Sequence, residues 1–345
     1  MFNKTMMDII NKYPWLAEEN VKLILSPDSD GFLSALLYLN YFNAEVVGYY
    51  DCKIMLCKKD INPKDCFFVD HDIFCKDIKS CGHHMVCYNK NKKSDSWSNF
   101  DNAVQLNNLR GFDGYHDFQR KYPFATIHFL LSLLENVKHI EISSDAIVPL
   151  LFSDGVFNNL FGYPENCLDW LKWLKADDEE SLLHDVFFKD IPFSSVMEKM
   201  EIFFNSRDKF NMVRCYDTVE ECVKNKKQSR TGHHMVLTHK NGSPMNIIKN
   251  TDETYSVFED ERKRVLGFIS LISSLMGWKT MPDKWSFDNM NLYSFKKDQL
   301  GSSGGYSKLN QANYDRIISD KCFSMAMTAN TTVEYTIDIN GYFKK

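Results

Sequence analysis

The sequence predicts an α/β protein in which a parallel, doubly wound sheet domain precedes a smaller α+β domain. Three observations carry this expectation. Short apolar, β-rich runs alternate with helical patterns through the first half. Several of those runs stop on an aspartate. The last third holds β-rich runs around a single long helical pattern.

Residues 6–18 read as a helix, and residues 21–26 (VKLILS) as a buried strand that ends at Pro27. Residues 32–42 form an apolar helical run, and 44–50 a second strand. Residues 66–70 (CFFVD) form a third strand that closes on an acid, and 85–88 (MVCY) a fourth. Residues 124–137 and 145–151 are helical patterns, followed by SDGVF. Residues 164–207 are helical and mixed in charge, as expected of a connector packed on one face. The polar, basic stretch 223–230 marks a boundary. Beyond it, 233–239, 290–295 and 333–339 read as strands and 259–276 as a helix. The expected organisation is therefore an α/β domain over 1–160, a helical connector over 161–222 and an α+β domain over 223–345.

A chain of 345 residues is long enough for two domains. Its net charge of -5 lacks the basic footprint of a protein that grips long duplex. That balance favours a phosphorylated small molecule or a short oligonucleotide. No apolar run approaches the roughly 20 residues a membrane span needs. The first residues also lack a signal peptide's apolar region, so no membrane partner and a cytoplasmic location are expected. Six of the ten cysteines lie between Cys52 and Cys87 without a CxxC pair. They are read as small buried hydrophobes rather than a zinc site.

The chemistry concentrates where strands end. Asp28 and Asp30 follow the first strand in PDSDG, and Gly31 permits a sharp exit into a helix. A helix cap accounts for one such acid more readily than for two. Asp70 closes the 66–70 strand, followed by His71 and Asp72. Gly82-His83-His84 opens the next apolar run. Adjacent strand side chains point opposite ways, so one imidazole can face a metal and the other a substrate. Asp154 ends an apolar segment as Asp-Gly, where a turn is the ordinary alternative. A short echo links CGHHMV (81–86) with TGHHMV (231–236).

Taken in order, these motifs resemble the DHH phosphoesterase superfamily over roughly residues 20–160. Asp28 and Asp30 match its first Asp-x-Asp motif and Asp70 its second motif. Gly82, His83 and His84 stand at its Asp-His-His, and Asp154 at its fourth motif. Three departures are plain, one of them a spacing from Asp70 to His83 shorter than the family's. Gly82 replaces the leading acid, with Asp72 a candidate substitute, and Ile24 stands where many members place a histidine. The resemblance implies Mn²⁺ or Mg²⁺, two ions, held by Asp28, Asp30, Asp70, His83 and Asp154, with His71 and Asp72 as further candidate ligands. It implies that Asp70 bridges the ions and that His84 touches the scissile phosphate. In the second half, Arg230, His233 and His234 lie in one candidate substrate loop, and Gly304, Gly305 and Lys308 in another. Glycine-rich backbone can present N–H groups to phosphate. The expected activity is metal-dependent hydrolysis of a phosphodiester or phosphoanhydride in a short oligonucleotide or nucleotide second messenger. Single-strand exonuclease or pyrophosphatase-like hydrolysis, and a decayed nucleotide-binding scaffold, stay open. A homodimer is allowed.

Overall fold

The structure is a computed structural model that describes residues 3–212, 232–301, 309–319 and 322–343. Its strands are β1 (Lys22–Leu25), β2 (Glu45–Tyr50), β3 (Ile54–Lys58), β4 (Phe67–Val69), β5 (Lys79–Gly82), β6 (Ala103–Gln105), β7 (Ile247–Lys249), β8 (Tyr255–Val257), β9 (Met290–Ser294), β10 (Lys296–Leu300), β11 (Cys322–Ala329) and β12 (Thr332–Ile337). Nine of them form one mixed sheet, ordered β6-β5-β4-β1-β2-β3-β9-β8-β7, and the remaining three a small sheet, β10-β12-β11.

The stretch from β6 to β2 is parallel. From β3 onward the pairs are antiparallel, so the sheet is mixed rather than parallel throughout. The strands are buried on both faces because successive apolar side chains serve different cores. Leu23 and Leu25 join the larger core, while Ile24 packs with Phe68, Phe295 and Phe323 in the smaller one. From β1 the chain runs to β2 and β3 on one side, then returns to β4 on the other. A crevice opens beyond the carboxyl ends of strands at such a switch point. Asp28 follows β1 and Asp70 follows β4, so both lie there.

Two strand assignments need correction. Residues 85–88 are buried but form no strand; β5 precedes them, so Gly82-His83-His84 closes a strand rather than opening one. An apolar run reports burial, and here the burial comes from packing against β11 and the helix Gln311–Ser319, with the Met327 N–H bonded to the Met85 carbonyl at 2.8 Å and the Tyr314 hydroxyl to the Val86 carbonyl at 2.7 Å. Residues 233–239 belong to neither sheet; the Met235 N–H instead donates to Pro27 O at 2.8 Å. β3, β5, β6, β7, β8, β10 and β11 were not anticipated; β3 pairs with β2 across a short turn and, on its other side, with the distant β9.

That pairing joins the C-terminal region to the first sheet. The helix Glu259–Met276 follows the expected bounds and packs on the helix Ser29–Tyr41, with Phe32 and Phe268 ring centroids 6.4 Å apart. The boundary expected at 223–230 lies outside the described residues. The small sheet is tied to the segment after β4: the Phe74 N–H donates to Phe323 O at 2.7 Å, and Ile73 bridges Ser324. The Tyr50 hydroxyl adds bonds to Ser324 and Thr336 at 2.9 and 2.7 Å. These ties set β11 and β12 over the crevice. Five of the six cysteines between positions 52 and 87 are buried, and none is bridged. Among the described residues no helix is long and apolar enough to cross a membrane.

Candidate metal centre

The turn after β1 is built by backbone approach. A Cβ on Gly31 would lie 2.0 Å from the Ser26 carbonyl oxygen, so only glycine lets the helix start this close to the strand. Asp28 caps that helix: its Oδ1 accepts the N–H groups of Asp30 and Gly31, both at 3.1 Å, and its Oδ2 the Ser26 hydroxyl at 2.6 Å. Asp30, in the first turn of that helix, is fully buried and caps a second helix. It accepts the N–H groups of Thr126 and Ile127 at 2.6 and 2.9 Å, at the start of Thr126–Leu134.

Asp70 leaves β4 in the left-handed region, at φ 60°, and Asp154 does the same at φ 51° beside Gly155 at φ 64°. Aspartate tolerates this conformation better than most residues. In each case the turn redirects an acid at the end of an apolar segment. His83 stands between the acids. Its Nδ1 is 3.2 Å from Asp70 and 3.6 Å from Asp30, and its Nε2 is 3.1 Å from Asp154. Ligand atoms of Asp30, Asp70, His83 and Asp154 all lie within 4.8 Å of one another, and the group could hold a metal ion.

The electrostatics of the bare cluster call for a cation. Burial, then the charge of Asp154, pushes the Asp30 carboxyl up to about 7. Burial, then Asp28, pushes Asp154 up to about 8. Asp70 is raised well above the ordinary carboxyl range by burial and by Asp30, Asp28 and Asp154. Burial lowers His83, which favours the neutral imidazole that binds metals. Three carboxylates and one imidazole are oxygen-rich donors with a single nitrogen, a set suited to a hard or borderline divalent ion.

The remaining expected residues divide clearly. Asp28 is not among the four clustered ligands, because its carboxylate serves as a cap at the edge of the cleft. Burial would raise it, but His234, His233, Ser26 and the Gly31 N–H outweigh that and hold it low. His71 is buried against the Tyr50 ring at 4.9 Å, and burial lowers it to about 4. Asp72 is buried and lies 3.9 Å from Nδ1 of His84. His84 is exposed at the rim and stacks on His83, with ring centroids 4.2 Å apart.

His233 and His234 reach the same cleft from the other half of the chain. The Ser29 N–H lies 3.2 Å from His233 Nδ1, and the Ser29 hydroxyl 3.0 Å. The two echoing histidine pairs therefore meet across one cleft of about 350 Å³, whose far wall includes Lys297, Glu334 and Tyr335. Arg230, Gly304, Gly305 and Lys308 lie outside the described residues.

No family model matches the chain, and no curated protein or solved structure matches it.

Several supporting residues escaped the sequence reading. The Thr126 hydroxyl donates to Asp70 at 2.9 Å and lies 3.0 Å from His83. Asn107 donates to the His83 carbonyl at 3.0 Å, and Gln105 to the His84 carbonyl. They fix the two histidines from outside. Nothing in the local pattern marks a threonine at a helix start, or two amides after a short strand, as parts of such a site.

Proposed function

We propose that this protein is a divalent-metal-dependent phosphoesterase, a divergent relative of the DHH enzymes. One observation carries the reading: three carboxylates and an imidazole from four separate chain segments converge at the carboxyl ends of parallel strands, at a topological switch point. Asp30, Asp70, His83 and Asp154 would hold Mn²⁺ or Mg²⁺. The bound ion lowers the pKa of a water and offsets charge on the phosphate.

The chain's own groups then divide the remaining work. Thr126, by hydrogen-bonding Asp70, holds that carboxylate toward the cleft. His84, at the rim, faces the phosphate or the leaving oxygen. Lys297 lines the opposite wall, ion-paired with Glu334 at 2.6 Å, and a substrate phosphate would compete with that carboxylate for its charge. A cleft of about 350 Å³ accommodates a nucleotide-sized group, in keeping with a short oligonucleotide or a nucleotide second messenger. A second ion, implied by the resemblance, would share Asp70 and draw on Asp28.

The commitment of Asp28 to a cap favours one other reading, a scaffold that binds nucleotide without turnover. Hydrolysis of bis-p-nitrophenyl phosphate with Mn²⁺, Mg²⁺ or EDTA, beside Asp70→Asn and His83→Ala, separates the two. The phosphoesterase reading expects metal-dependent turnover that both substitutions abolish. Nucleotide binding without turnover of any nucleotide substrate in Mn²⁺ would favour the scaffold.

A further inference from the structure

Gly82 stands where an acid is expected, and the structure shows what fills the space. A Cβ at Gly82 would lie 2.7 Å from both Cγ and Oδ1 of Asp72, and 2.8 Å from its Oδ2. The Asp72 carboxyl thus occupies the volume of a side chain at position 82, and any residue larger than glycine there would have to displace it. Asp72 is 4% exposed. Among the described residues its Oδ1 has no hydrogen-bond partner, an expensive state for a buried carboxyl group, and burial pushes this carboxyl well above the ordinary range despite the His84 backbone N–H, which favours its charged form. Its backbone is fixed from the far side, where the Met325 N–H bonds to the Asp72 carbonyl at 3.3 Å. The His84 imidazole stands beside it, with Nδ1 3.9 Å from Oδ2. His84 itself is held by Gln105 at its carbonyl and by stacking on His83.

We propose that Asp72 is a positioning residue that takes the Nδ1–H of His84 and turns its Nε2 toward the substrate phosphate. The 3.9 Å gap is longer than a hydrogen bond, as catalytic contacts often are before substrate binds, and here it tightens in the complex. A carboxylate on one imidazole nitrogen fixes the tautomer and aims the other nitrogen. Asp72 thereby supplies the acid that Gly82 lacks, from a neighbouring strand end. This proposal rests on the phosphoesterase reading for its kinetic consequence, and on the geometry alone for the tautomer.

The test records ¹⁵N imidazole spectra of the Mg²⁺-loaded protein at constant pH, with kinetics on bis-p-nitrophenyl phosphate and Mn²⁺ affinity by calorimetry. In wild type His84 carries its proton on Nδ1. In Asp72→Asn the amide oxygen keeps the backbone N–H, its NH₂ faces Nδ1, and the tautomer switches. The expected loss in kcat is roughly 10–100-fold, as for other orienting partners, with KM and Mn²⁺ affinity unchanged. His84→Ala gives a similar loss, and the double variant loses no more. Gly82→Ala displaces the carboxyl and gives the same tautomer change with Asp72 intact. An unaltered tautomer in both Asp72→Asn and Gly82→Ala overturns the proposal. So do additive kinetic losses, or weakened Mn²⁺ binding in Asp72→Asn, which would make Asp72 a ligand. Absent turnover in wild type would count against the phosphoesterase reading, while the tautomer would still decide the role of Asp72.

Discussion

Withdrawing divalent metal is expected to destabilise this protein most at alkaline pH. Without a cation, the Asp30 carboxyl sits at about 7 and Asp154 at about 8, against 3.8 in an unfolded chain. Both folded values are raised, so the unfolded chain releases its protons first as pH rises. The stability these protonated groups contribute is complete below about pH 4 and is lost progressively up to pH 7–8. Ionising Asp30 in place costs on the order of 4 kcal/mol. Asp154 acts in the same direction, weakened by its 27% side-chain exposure, and the two are not additive because they repel each other. At roughly 2–4 °C per kcal/mol for a chain somewhat shorter than this one, the shift is of order 10 °C. Thermal melts at pH 5.5, 6.5, 7.5 and 8.5, in EDTA and in saturating Mn²⁺, measure it. The EDTA series should fall with pH, and the gain from Mn²⁺ should grow with pH as the ion replaces protons. Asp154→Asn should flatten the EDTA slope. A Mn²⁺ gain that is equal at every pH, with an EDTA slope indifferent to Asp154→Asn, would refute the reasoning.

Other substitutions separate building from chemistry. Asp30→Ala uncaps the helix Thr126–Leu134 by removing a carboxyl group that accepts two backbone N–H bonds, so urea denaturation should show a loss of about 3 kcal/mol even in EDTA. Gly31→Ala forces a methyl against the Ser26 carbonyl and should cost at least about 2 kcal/mol by the same assay; a neutral result would mean the turn relaxes freely. His84→Ala, at an exposed rim position, should leave stability within about 0.5 kcal/mol while lowering turnover.

Much of the site could be read from local sequence because the acids stand at or just beyond the ends of apolar segments. Asp30, Asp70 and Asp154 were legible on that basis, and His83 by the histidine pair that precedes the apolar run at 85–88. The same signal could not rank Asp28 against Asp30. Two residues on a forming helix differ by about 200° of rotation, and this rotation sends one to the cap and the other into the cluster. Thr126, Asn107 and Gln105 carry no such announcement, since their roles arise only when distant segments meet. The sheet shows the same division. β1, β2 and β4 are recognisable because two buried faces make near-continuous apolar runs. β3 pairs on one side with β2, its hairpin neighbour, and on the other with β9, more than 200 residues later, a partner that no local window contains. Residues 85–88 show the converse, an apolar run buried against β11 and the helix Gln311–Ser319 without a ladder of its own.

The most direct test is a Mn²⁺ titration of metal-free protein at pH 7.5, followed by calorimetry. Wild type should bind at least one ion, and Asp70→Asn, His83→Ala and Asp154→Asn should each weaken binding at least tenfold. Asp28→Asn, at a residue outside the four-ligand cluster, should weaken it far less. Folded protein that binds no Mn²⁺ or Mg²⁺, or affinity unchanged by all three cluster substitutions, would contradict the account.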